Sequence, residues 1–190
     1  MRMFVALTPS PEGLEDLDTF LEPRREAGAD LRWTPPDQWH VTLAFLPDVA
    51  DRHLDDLVER LGRAARKRSA IALSVGGGGA FPDVAHGRVL FAALTPEADS
   101  ADEELRRLAT GARAAATKAG TVVEGARFHP HLTLARSGRP RELTRWVRLL
   151  DAYRGPTWTA SEVSLVASYL GEGPRRRPRH EVVAELPLGH

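Results

Sequence analysis

His40-Val41-Thr42-Leu43-Ala44 and His131-Leu132-Thr133-Leu134-Ala135 are near copies of each other, 91 positions apart in a chain of 190 residues. Side chains alternate between the two faces of a strand. The spacing therefore puts the His and Thr of each copy on one face, and Val41, Leu43, Leu132 and Leu134 on the other, toward a core. Two strands that each present an imidazole and a hydroxyl make a symmetric polar site with two proton-transfer groups. An imidazole exchanges its proton at a pKa of about 6.5. One on each side of a phosphorus could deprotonate a water and protonate a departing oxygen, which is phosphodiester cleavage without a metal. The hydroxyls of Thr42 and Thr133 would donate to the non-bridging oxygens, where negative charge builds up. A single copy would read as a strand with an incidental histidine, and threonine is common in strands. The repetition is what carries the functional reading.

The remaining histidines are weaker candidates. His129 stands two residues before His131, so an undistorted strand would align both rings as a ligand pair. Zinc needs three or four ligands, however, and Pro130 makes a turn there; no metal is expected. His53, on a charged helix, and His190, at the terminus, read as solvent-exposed bystanders, while His86 lies in a loop that could reach a groove rim. Phe45, Phe81 and Trp158 read as core. Trp33 and Trp39 flank the first motif in turn-rich sequence, where a nucleobase could stack.

Composition narrows the class. There is no cysteine, which excludes disulfides and thiolate metal sites. The opening Met1-Arg2-Met3-Phe4-Val5-Ala6-Leu7 is too short an apolar run for a signal peptide, and no stretch approaches membrane-spanning length. A soluble cytoplasmic protein is expected. Net charge is zero, unlike a protein that wraps a long nucleic acid. The basic residues are clustered nonetheless: six arginines against Glu142 alone between Arg127 and Arg148, and a second group at Arg175-Arg176-Arg177-Pro178-Arg179. Guanidinium matches phosphate oxygens bidentately, so these clusters favour local recognition of a nucleic-acid end. Plain alternation puts Arg136 on the face opposite His131.

The elements that must position the motifs recur in one order. Met3 to Thr8 reads as a strand, and Ser10 caps a helix from Pro11 that ends before Gly28. A short extended piece at Leu31 to Thr34 and the turn Pro35-Pro36-Asp37 lead into the His40 to Phe45 strand. A helix is expected from Asp51 to about Arg68, then a strand from Ile71 to Val75 that dissolves into Gly76–Gly79 as a flexible or bulged end. The second half offers a strand from Arg88 to Leu94, a helix from Ala98 to Ala119, a short extended piece at Thr121 to Val123 and the His131 strand. Pro140 is expected to open a further helix, and strands from Trp158 to Leu170 and Glu181 to Leu186 close the chain. Residues 1–190 thus read as one bilobal α+β domain with a pseudo-twofold duplication. Two antiparallel or mixed sheets would face a central groove, with helices on the outside.

The paired motifs and this order resemble the 2H phosphoesterase superfamily, and within it the bacterial RNA 2′,3′-cyclic phosphodiesterases, also called 2′,5′ RNA ligases. The likeness covers nearly the whole chain. It includes Arg2-Met3-Phe4-Val5-Ala6, the block from His40 to Leu46, Gly79-Ala80-Phe81-Pro82, Arg88-Val89-Leu90-Phe91 and the block from Pro130 to Arg136. The chain departs from that pattern where His180 replaces an expected aromatic residue and an arginine-rich loop replaces a shorter one. The resemblance implies hydrolysis of RNA 2′,3′-cyclic phosphate ends to a 2′-phosphomonoester, with His40 as acid and His131 as base. It brings Arg136 forward as a phosphate ligand beside Thr42 and Thr133. It implies no cofactor, no membrane partner and a monomer acting on RNA ends, tRNA fragments among them, or on cyclic nucleotides. Alternatives from the same site are 2′,5′ ligation and hydrolysis of a small cyclic nucleotide or ADP-ribose cyclic phosphate. No nucleotide-binding loop or adenylate-accepting lysine is visible for ATP-driven joining. A non-catalytic RNA-end binder would not need two proton-transfer groups.

Overall fold

The computed structural model describes residues 1–125 and 127–189; His190 lies outside the described residues. The strands are β1 (Met3–Leu7), β2 (Arg32–Trp33), β3 (Val41–Leu46), β4 (Ile71–Phe81), β5 (Gly87–Pro96), β6 (His131–Arg141), β7 (Trp158–Ala160), β8 (Glu162–Tyr169) and β9 (Arg179–Pro187). The helices are α1 (Pro11–Leu21), α2 (Asp51–Arg66), α3 (Asp99–Lys118) and α4 (Thr144–Asp151). Helix α1 starts as the sequence requires: the Gly13 amide donates to Ser10 Oγ at 3.1 Å and proline occupies the first turn, a cap that contributes about 1 kcal/mol.

Among the described residues all nine strands form one antiparallel sheet, in the order β7-β4-β5-β6-β3-β1-β8-β9, with β2 beside β6. The expectation of two sheets is therefore corrected. The reason lies in the motifs themselves, because Val41 of β3 pairs with Leu132 of β6 and joins the two halves into one surface. That seam is narrow. Further along, β6 pairs instead with β2, through Arg32 opposite Arg136 and Trp33 opposite Ala135. The halves are also interlocked by strand exchange. Strand β4 follows α2 yet pairs with β5 of the second half, while β8 follows α4 yet pairs with β1 of the first.

Exchange explains a second correction. The segment from Trp158 to Leu170, expected as one strand, breaks at Ser161 because β7 pairs with β4 and β8 with β1, in opposite halves of the sheet. Strand β4 likewise runs on through the glycines to Phe81. A bulge falls between Val75 and Gly78, where Gly77 has a φ of +90°, a conformation glycine adopts without steric cost. Pro140 opens no helix, for β6 reaches Arg141, which pairs with Gly87, and α4 starts at Thr144. Thr121 to Val123 forms no strand; only Glu124 bridges to Phe45.

The helices lie outside the curved sheet. One continuous apolar cluster joins Leu17 and Leu21 of α1, Leu57 and Leu61 of α2, Leu105 and Leu108 of α3 and Leu150 of α4 to Val41, Leu43, Leu132 and Leu134 of the motif strands. All of these side chains are buried. At roughly 1.5–3 kcal/mol for each large side chain withdrawn from water, this face fixes the register of both motif strands, since a one-residue slip would bury the imidazoles. The other face of the seam is left open.

Candidate active site

His40 immediately precedes β3 and His131 is the first residue of β6. Because Val41 and Leu132 are antiparallel partners, the register continued one residue each way sets His40 opposite Thr133 and Thr42 opposite His131. All four side chains line a groove of about 700 Å³, within the size range of sites that enclose a whole small ligand. The Thr42 and Thr133 side chains are half-buried.

Both motif strands carry the same irregularity. Adjacent residues Val5 and Ala6 of β1 face Ala44 and Thr42, which leaves Leu43 as an extra residue in β3. Adjacent Leu90 and Phe91 of β5 face Ala135 and Thr133, which leaves Leu134 extra in β6. Leu43 and Ala44 are both buried, as are Leu134 and Ala135, so alternation is re-phased by one residue at each bulge. The next side chains, Phe45 and Arg136, consequently turn into the groove. Plain alternation puts Arg136 on the opposite face, and the bulge is what brings it to the histidines.

The backbone sets the tautomer of both rings. Nδ1 of His40 lies 2.7 Å from the Gln38 carbonyl and Nδ1 of His131 lies 2.5 Å from the His129 carbonyl. A carbonyl only accepts, so each Nδ1 carries a hydrogen and Nε2 is the atom left to exchange protons. The surroundings then separate the two rings. His40 stacks on Phe4 at 4.3 Å with 16° between planes, and His180 approaches it edge-on at 5.8 Å. Burial lowers its pKa to about 4; the Gln38 carbonyl opposes this, and the charges of His180 and His131 lower it further. His131 packs against the Phe81–Phe91 pair, at 5.0 and 5.2 Å. Burial, and secondarily the charges of His129 and Arg136, hold it below the ordinary imidazole value against the pull of the His129 carbonyl.

Six arginines reach this groove: Arg2, Arg32, Arg136, Arg175, Arg176 and Arg177. None is ion-paired among the described residues. Burial, together with Arg32 and Arg2, holds the Arg136 guanidinium below its ordinary pKa, as uncompensated cations crowded together must. Arg2 also lies over the Phe45 ring, 4.4 Å from its centre. An anion placed between the histidines would relieve this repulsion.

Several side chains stand elsewhere than the sequence suggests. Phe81, expected in the core, is half-buried against His129 and His131, and Phe45, also expected there, is half-buried between the groove and the Phe4, Ala6 and Val166 cluster, whereas Trp158 is core. Trp39 is buried and offers no stacking face, while Trp33 lines the groove and donates from Nε1 to the Gly28 carbonyl at 2.9 Å. His53 is half-buried, packed against Gly120, rather than a bystander in solvent. His86 contacts Asp83 and does not line the groove. His129 lies 5.8 Å from His131, ring centre to ring centre, and among the described residues no three His, Asp or Glu gather as a metal site. Arg32 and Gln38 do not stand out in the sequence, and Arg2 and Phe4 stand out there only within the opening segment of the resemblance, because their approach to the histidines depends on tertiary structure.

A one-sheet α+β fold with an imidazole and a hydroxyl from each half, facing an arginine-lined groove, defines a two-histidine phosphoesterase class. The chain belongs to the 2′-5′ RNA ligase superfamily of 2H phosphoesterases, whose sequence profile matches residues 13–172. It is 30% identical over 180 residues to an RNA 2′,3′-cyclic phosphodiesterase of Thermus thermophilus, covering 90% of this chain and 83% of that one. It is 27% identical over 159 residues to the Aquifex aeolicus protein of the same name, covering 83% and 82%. The crystal structure of TT0787, also from Thermus thermophilus, superposes with a TM-score of 0.74 at 29% identity, covering all of this chain and 98% of the other.

Proposed function

We propose that this protein is an RNA 2′,3′-cyclic phosphodiesterase, opening the cyclic ester with two histidines to leave a 2′-phosphomonoester. The observation that carries the reading is the antiparallel pairing of Val41 with Leu132, from which His40 faces Thr133 and Thr42 faces His131 across one groove. A 2′,3′-cyclic phosphate seated there has a histidine on each side of phosphorus. One Nε2 takes a proton from water as its oxygen bonds to phosphorus. The other Nε2 gives a proton to the ribose 3′-oxygen as its bond to phosphorus breaks. Following the family resemblance, His131 is the base and His40 the acid. Burial disfavours the charged form of His40, so an arriving phosphate anion is what favours its protonated form. Thr42 and Thr133 donate to the non-bridging oxygens, and Arg136 offsets the charge that grows on them.

The reaction runs without a metal, in a monomer located in the cytoplasm, on RNA ends such as tRNA fragments or on small cyclic nucleotides. No helix of the described residues is long and apolar enough to cross a membrane. The test is turnover of nucleoside 2′,3′-cyclic phosphates and short RNAs in excess EDTA, with the products read by phosphorus NMR. Undiminished hydrolysis to the 2′-phosphomonoester is expected. Activity that vanishes in EDTA and returns with one divalent ion would overturn the mechanism. Joining of RNA ends without hydrolysis would reassign the site to 2′,5′ ligation.

A further inference from the structure

The loop between β8 and β9 carries three arginines and β9 opens on a fourth, and they are not equivalent. Arg179 is ion-paired to Glu172 and Glu181, both at 3.4 Å, and lies 4.2 Å from the centre of the Tyr169 ring. Arg175, Arg176 and Arg177 have no carboxylate partner among the described residues, and all three line the groove. Their backbone is held in place: the Gly173 amide donates to the Arg177 carbonyl at 2.7 Å, and Gln38 Nε2 donates to the Pro178 carbonyl at 2.8 Å. Arg175 and Arg176 have φ angles of 55° and 60°. Two successive non-glycine residues in the left-handed region are costly, and such outliers tend to persist where a function requires them.

Placement decides what this cluster is for. One cyclic phosphodiester carries a single negative charge, and Arg136, with Arg32 and Arg2 close enough to depress its pKa, already supplies cations for it. The loop stands on the His40 side, tied to the wall by Gln38, whose carbonyl also holds the His40 ring. His180, next but one after Pro178, flanks His40 from the same side. The oxygen that leaves toward His40 belongs to the terminal ribose. The rest of the RNA, beginning with the phosphate on that ribose's 5′-oxygen, extends from the same side.

We propose that Arg175, Arg176 and Arg177 form a second phosphate subsite that binds the phosphodiester one nucleotide upstream of the cyclic end. The preferred substrate is then an RNA of at least two nucleotides rather than a mononucleotide. This rests on the assignment of His40 to the leaving-group side. Guanidinium–phosphate pairs are charge-assisted and bidentate; hydrogen bonds to charged groups contribute about 1.5–3 kcal/mol, which corresponds to roughly 10- to 100-fold in kcat/KM.

The experiment compares three substrates: a nucleoside 2′,3′-cyclic phosphate, a dinucleotide ending in the same cyclic phosphate, and that dinucleotide with an uncharged methylphosphonate upstream linkage. The wild-type protein is expected to prefer the charged dinucleotide by about tenfold or more, chiefly through KM. The methylphosphonate should lose that preference. The triple variant Arg175→Ala/Arg176→Ala/Arg177→Ala should bring the dinucleotide-to-mononucleotide ratio close to one, and the triple lysine variant should restore part of it. Equal kcat/KM for mononucleotide and dinucleotide in the wild type overturns the subsite while leaving the phosphodiesterase assignment intact. A preference that survives the methylphosphonate or the triple alanine variant also overturns it. Failure to turn over any of the three is a failure of the activity itself. The subsite then stands or falls on binding, measured as the affinity ratio of a dinucleotide 2′-phosphate to a nucleoside 2′-phosphate in the wild-type and triple alanine proteins.

Discussion

The two motif strands, β3 with His40 and β6 with His131, share their local chemistry and differ in their surroundings. Each has a histidine whose Nδ1 is held by the carbonyl two residues earlier, a threonine opposite the other strand's histidine, and a bulge at the following leucine. The bulge then delivers Phe45 into the groove from β3 but Arg136 from β6. His40 lies flat against Phe4 and beside His180, while His131 meets Phe81 and His129 edge-on and Phe91 at a tilt. The two rings share their local setting, and the neighbouring strands give them different surroundings, with the larger lowering of pKa at His40. The lower proton affinity falls on His40, the ring proposed as the acid, so its protonated form depends on the phosphate anion that arrives beside it.

The strongest way to break the comparison is to remove each ring. His40→Ala and His131→Ala should each lower kcat/KM for cyclic-phosphate opening by about 10²–10⁴-fold. The double variant should be little worse than the poorer single, because groups acting in one step are non-additive. Activity within about tenfold of wild type in either folded variant would sink the two-histidine mechanism.

The threonines test whether the hydroxyls are equivalent across the seam. Thr42→Val and Thr133→Val keep the β-branch, so a strand-forming role alone leaves activity unchanged. Donation to the phosphate predicts a loss of roughly 10²-fold in each, largely recovered by Thr→Ser. Arg136 and Phe45 occupy the same place after their bulges but not the same role. Arg136→Met should lower kcat/KM by roughly tenfold or more, consistent with loss of a charged hydrogen bond, while Phe45→Leu should change it by only about twofold. Steady-state rates on matched, folded protein decide between these outcomes.

The pH dependence sharpens the comparison. Both rings are held below the ordinary 6.5, His40 at about 4. The profile of kcat/KM, which reports free-enzyme ionisations, should be a bell centred below 6.5 with its acid limb near the His40 value. An optimum above 6.5 would contradict it. Stability carries the same signature with a defined sign. A histidine with a lowered folded pKa binds its proton more readily when unfolded. Its contribution is therefore complete above 6.5 and is lost as pH falls toward 4, on the order of 2–3 kcal/mol for His40. His40→Gln should accordingly flatten the acid side of the stability curve measured by urea unfolding, and His131→Gln should flatten it less.

Much of this protein is legible in the order of its residues. The repeated His-apolar-Thr-Leu-Ala segments identify the imidazoles and hydroxyls, because strand periodicity is local. Ser10 and Pro11 fix a helix start, and the apolar spacing of α2 and α3 fixes two more helices, also by local rules. What the sequence could not decide was set by partners distant along the chain. The number of sheets turned on one pairing, Val41 with Leu132, and the break at Ser161 on β7 and β8 joining opposite halves. The bulges at Leu43 and Leu134 exist only relative to β1 and β5, so no count along the motif could have aimed Arg136 at the groove. The pKa of His40 belongs to the same class. Phe4 and His180 reach it from β1 and β9, and desolvation depends on what surrounds a group in space rather than on its neighbours in sequence.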